Sequence, residues 1–193
     1  MRRRRDHGLL LQDLYIRDNI TAADYLVVSL GGNDIALNPT LRTAVNMTLL
    51  TRSPIALIRM GLAPGMAYFV RLFRDRIREL LLKLTAKQRP AKILVSMIYY
   101  PGRPSADGSW ADGTLAALGY NEGPEKLQLV IRTLFAKIKA MGFDIPGTEV
   151  IPVPLFDWLD PNDPNDYNQR VEPSVQGGRK MAVGFLDALG ITA

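Results

Sequence analysis

An α/β fold built on a parallel sheet is what this sequence predicts, and three observations predict it. Short apolar runs at residues 25–30 (YLVVSL), 92–99 (KILVSMIY) and 149–153 (EVIPV) read as strands. They lack the in-out alternation of a half-exposed sheet, as parallel strands covered on both faces do. Stretches of helical periodicity separate them, and strands alternating with helices of this length make βαβ units.

Taken in order, residues 1–24 read as an N-terminal segment, a basic tail followed by a helix, and residues 25–193 as the α/β domain. After the first strand, residues 40–59 are helical in part, with Pro54 as a break or a helix start. From 67 to 87, Phe69, Phe73, Ile77, Leu80, Leu81 and Leu84 recur at helical spacing. Arg71, Arg74 and Arg78 fall on the opposite side, as a solvated face. After the second strand, Leu127, Ile131, Leu134, Ile138 and Met141 form another stripe, which Gly142 ends. The last helix runs roughly over 174–189 with Ser174 as its N-cap. In such sheets the functional loops lie beyond the carboxyl ends of the strands. Three loops therefore matter: those after Leu30, after Tyr100 and after Val153.

Composition narrows the chemistry. Lys and Arg number 24 and Asp and Glu 19 in 193 residues, but four of the cations are the run Arg2 to Arg5. Without that run the balance is 20 to 19, too even for a distributed nucleic-acid footprint. There is no Cys, which excludes disulfides, thiolate chemistry and Cys-ligated metal. His7 is the one histidine, so a mechanism using His as general base must use His7 or a residue outside the chain. No segment reaches the ~18 apolar residues of a membrane span. The apolar run after Gly8 stops at Gln12 and Asp13, too soon for the core of a signal peptide. The compartment stays open.

The turn after the first strand is Gly31-Gly32-Asn33-Asp34. Two glycines permit a tight turn and close backbone approach. The Asn33 carboxamide is a neutral donor of the kind an oxyanion hole needs. Asp34 can hold the loop or cap a helix. A plain turn is the alternative reading. The loop carrying Asp157, Asp160, Asp163 and Asp166 lacks the Gly and terminal Glu of a calcium loop, and its prolines and asparagines are those of turns. No metal or cofactor is expected. Trp110 lies in a long loop on the functional side, where it lines a substrate cleft or packs the loop onto the sheet.

Near the C-terminus, Val171-Glu172-Pro173-Ser174 leads into the last helix. Together with YLVVSLGGND this resembles the SGNH (GDSL-type) hydrolase family, over about residues 25–182. That family has a strand ending in G-x-N-D and a D-x-x-H-P-[SN] turn before its last helix. The resemblance implies a flavodoxin-like three-layer α/β/α sandwich and hydrolysis of carboxylic esters, of lipids or acylated sugars, through a Ser nucleophile. It places Asn33 in the oxyanion hole. Gly8 stands either as the glycine that gives a second oxyanion N–H or as an ordinary N-terminal loop glycine, and Gly8, Gly32 and Trp110 are the candidate substrate-binding residues. The sequence also departs from the family. The Gly-Asp-Ser-Leu segment that carries the nucleophile is absent, so the sheet is expected to lack its first strand or strands. The family His position is occupied by Glu172 and its Asp position by Gln169. Glu172 is either a replacement base or a structural carboxylate that caps the last helix or pairs with Arg170 or Arg179. Ser29, Ser96, Ser105, Ser109 and Ser174 are the stand-in nucleophiles, none with a His partner.

The expectation is an SGNH-like domain whose isolated chain is inactive, its sheet completed by a missing N-terminal segment. The alternatives are a non-catalytic binding domain for an ester or acylated carbohydrate, and an enzyme completed by a partner chain.

Overall fold

The computed structural model describes residues 8–32, 35, 40–104 and 108–191. Asn33, Asp34, His7, Ser105 and the Arg2 to Arg5 run lie outside the described residues.

The chain is α/β, with a parallel sheet of order β1-β2-β3. Strand β1 is Tyr25–Ser29, β2 is Lys92–Met97 and β3 is Glu149–Pro154. The register sets Ser29 beside Ser96 and Ser96 beside Val153. Helices connect the strands: α1 (Leu11–Asn19) precedes β1, and α2 (Leu41–Arg52) and α3 (Ile55–Arg59) follow it. Pro54 is the N-cap of α3, so the predicted break is a helix start. A long helix comes next: α4 (Met66–Val70), a π turn (Arg71–Asp75) and α5 (Arg76–Leu84). Beyond β2 lie α6 (Asp112–Ala117) and α7 (Pro124–Met141). Beyond β3, two short 3₁₀ turns and a small antiparallel pair, β4 (Tyr167–Asn168) with β5 (Glu172–Pro173), lead to α8 (Val175–Leu189).

The apolar stripe of α7 becomes core, as its periodicity requires. Leu127, Val130, Ile131, Leu134 and Ile138 join Val95 of β2 in one buried cluster. Each fully buried side chain of this kind contributes roughly 1.5–3 kcal/mol. The π turn contributes Leu72 and Phe73 to the same cluster. N-terminal residues 11–19 pack as α1 against α5.

Two expectations are corrected. Only β2 is buried along nearly its whole length; β1 is largely exposed and β3 half-buried. The cause is position: among the described residues β1 and β3 are the two edges, and only β2 has a neighbour on each side. Tyr25 and Val27 remain 46% and 44% exposed although their type suits a core. The three arginines expected on one solvated face also divide. The Arg74 guanidinium donates to the Gly142 carbonyl at 2.8 Å and to Asp75 at 2.7 Å. Arg78 reaches Asp144 at 3.2 Å. Arg71 makes neither kind of contact, because the π turn rotates it away from the other two.

Candidate substrate cleft

A cleft of about 530 Å³ opens at the carboxyl ends of β1 and β2, within the usual size range of small-molecule sites. Its floor includes Ser29, Gly31 and Gly32 after β1 and Ser96 of β2; Trp110 and Glu172 also line it. Gly32, Trp110 and Glu172, three residues singled out in sequence from three separate segments, therefore share one cavity. Gly8 does not line it. It precedes α1, which packs on α5, and a side chain there would meet nothing within 4 Å.

Gly31 shows why glycine stands at the turn. Its φ is +102°, a region unfavourable to other residues, and a Cβ there would lie 2.7 Å from the Phe73 ring. Gly32 has no such constraint; a Cβ would meet Ile98 at an ordinary 3.7 Å.

The Trp110 indole N–H donates to Glu172 Oε1 at 2.8 Å. Glu172 therefore does not pair with Arg170 or cap the last helix. Arg170 is taken elsewhere: buried, with φ +72°, it donates to Asp112 at 2.5 Å, Asn121 at 2.8 Å and the Gly102 carbonyl at 3.0 Å. It ties the turn before Glu172 to α6 and to the loop after β2. The cap of α8 is Ser174, whose hydroxyl accepts from the Gly177 N–H at 3.1 Å and donates to the Asn165 carbonyl.

Tyrosines fix the loop after β2. The Tyr99 hydroxyl donates to the Val171 carbonyl and the Tyr120 hydroxyl to the Pro101 carbonyl, each at 2.5 Å. Tyr167 donates to the Tyr100 carbonyl at 2.8 Å. Burial, reinforced by the charge of Glu172, pushes the Tyr99 phenol up to about 12. Burial also raises Tyr120 and Tyr167. All three thus remain protonated donors near neutrality.

The candidate serines divide in the same way. Ser174 is a cap, and Ser109 donates to the Gln169 carbonyl. Ser29 and Ser96 line the cleft side by side on adjacent strands. The Ser96 hydroxyl is buried and has no hydrogen-bond partner among the described residues. Among the described residues no serine hydroxyl is hydrogen-bonded to a carboxylate or another base.

The Asp loop is structural. Asp163 accepts from the Asn165 N–H at 2.9 Å. Fully buried Asp166 accepts from the Asp160 N–H at 2.9 Å and from Lys180 at 2.7 Å. Burial works to raise the Asp166 carboxyl, and Lys180 with the backbone and Gln176 donors overcomes it, leaving the carboxyl below its ordinary value. Among the described residues no group of carboxylates is arranged to hold a metal ion, and no helix is long and apolar enough to cross a membrane.

Sequence reasoning missed the wall formed by α6. Thr114 and Leu115 of this helix, with Leu118 just beyond it, line the cleft, and the Leu115–Leu118 spacing was the available signal. No protein family matches the sequence, and neither a curated protein nor a solved structure matches it.

Proposed function

We propose that the chain is an SGNH (GDSL-type) hydrolase-like domain of flavodoxin-like architecture, whose cleft receives a carboxylic ester and which alone binds that ester without hydrolysing it. The observation that carries this reading is the convergence of Gly32, Trp110 and Glu172 on one largely apolar cleft beyond the strand ends. The inactive state is supported by the described serine hydroxyls, none of which has the paired base that a hydrolase of this class requires. Glu172 is engaged by the Trp110 indole, and we assign it to holding that wall rather than to proton transfer. A nucleophile carried by a strand added at the outer edge of β1 would stand beside Gly32. Asn33 and backbone N–H groups would then hold the oxyanion formed by its attack.

The test is twofold. Trp158→Phe leaves Trp110 as the remaining indole, and its fluorescence is titrated with a short-chain aliphatic ester. Saturable quenching without release of p-nitrophenol from p-nitrophenyl acetate is expected. Absence of saturable binding overturns the cleft assignment. Turnover well above background that falls about a hundredfold in Asn33→Ala overturns the inactive state, since loss of one oxyanion donor has that scale of effect.

A further inference from the structure

A second concavity, of about 570 Å³, opens between α2, the turn at Gly65 and the long helix that follows. Its lining carries four cations, Arg42, Arg71, Arg76 and Lys83, against one carboxylate, Glu79. None of these five makes an ion pair with a described residue, whereas Arg74 and Arg78 on the same helix are each held by a carboxylate. Lys and Arg barely outnumber Asp and Glu once the N-terminal run is set aside, so this is a local concentration of positive charge.

The backbone creates it. Residues five apart fall on different faces of a regular α-helix. Here the Arg76 N–H bonds to the Arg71 carbonyl, five residues back, and the widened turn brings both arginines to one cavity. Glu79, Leu80 and Lys83 continue that face at spacings of three, four and seven from Arg76. The Arg42 guanidinium lies 5.6 Å over the Tyr68 ring, whose hydroxyl is bonded to Thr43 at 2.6 Å. Like charges gathered this way repel one another, and an anion between them removes the repulsion.

We propose that this concavity binds a small molecule bearing a phosphate group, with Arg71 and Arg76 clamping the phosphate and Arg42 and Lys83 completing its neutralisation. Phosphate is the fitting anion for two reasons. The guanidinium fork matches its oxygens two at a time, and three net positive charges suit a dianion better than a single carboxylate. The cavity is larger than a bare phosphate ion, and Tyr68 with Leu80 offers an apolar wall to the organic part. The site is separate from the ester cleft and does not depend on it.

The experiment is calorimetric titration of the full chain with glycerol 3-phosphate and with inorganic pyrophosphate at low and raised salt. A parallel arm measures sedimentation with phosphatidylcholine vesicles containing phosphatidic acid. Saturable, salt-weakened binding of the soluble probes is expected, with a loss of about tenfold or more in the Arg71→Ala/Arg76→Ala double variant, given the worth of charged hydrogen bonds. Glu79→Gln, which touches no cation, is expected to tighten binding. It carries the test if circular dichroism shows the double variant unfolded. Binding only to the vesicles, no binding at all, soluble-probe binding indifferent to Arg71 and Arg76, or no gain from Glu79→Gln each overturns the proposal.

Discussion

Gly177 stands where the last helix meets the Asp loop. A Cβ built on it would lie 2.2 Å from the Asp166 carbonyl oxygen, a backbone atom that cannot swing aside. Gly177→Ala is therefore expected to destabilise the fold by about 2 kcal/mol or more, the scale of overpacking at a rigid contact, read as a lower midpoint in urea. The neighbouring carboxylate sets an acid limit. Asp166 has its carboxyl below the ordinary value in the folded state, so the unfolded chain takes up its proton first. Its contribution to stability is complete above the ordinary carboxylate range and is lost as pH falls through the folded value. Thermal unfolding from pH 7 to pH 3 is expected to show a fall in Tm below about pH 4 that is shallower in Asp166→Asn. Equal slopes would show that ionisation of the Asp166 carboxyl contributes nothing to acid stability. Ser174 as a cap and the tight turn at Gly31 were legible in sequence, because each rests on contacts with near neighbours or on a glycine's permitted φ. The pairing of Trp110 with Glu172 was not, because the two lie 62 residues apart and neither residue type names its partner.

At the level of single elements, α7 and α8 follow their patterns within a residue or two, since an apolar stripe at helical spacing has one way to be buried. The long helix after Gly65 obeyed the same rule for its core side and broke it for its arginines. Its buried positions tolerate one extra residue in a turn, so the apolar spacing does not expose the π turn. Helix α6 was hidden differently. It sits in a Gly- and Ser-rich stretch whose composition reads as loop, and it is held in place by Arg170, a residue far along the chain.

For the whole molecule, the telling element is the first strand. Its composition asks for burial, but among the described residues its position gives it one neighbour, and burial of a strand depends on the sheet around it rather than on its own residues. An exposed apolar edge of this kind pairs with other chains unless something covers it. Concentration-dependent association is therefore expected in sedimentation velocity. Val27→Lys, which places a charge on that edge, is expected to suppress it without changing the far-UV spectrum. Association unaltered by the lysine would place the contact elsewhere on the surface.

The π turn faces two ways. Arg71 looks into the anion concavity, while Phe73 fills the space that a side chain on Gly31 would need at the lip of the cleft. Dense interiors pass small displacements on rather than absorbing them. Any rewinding of those five residues would press on the glycine lip as well as on the guanidinium pair.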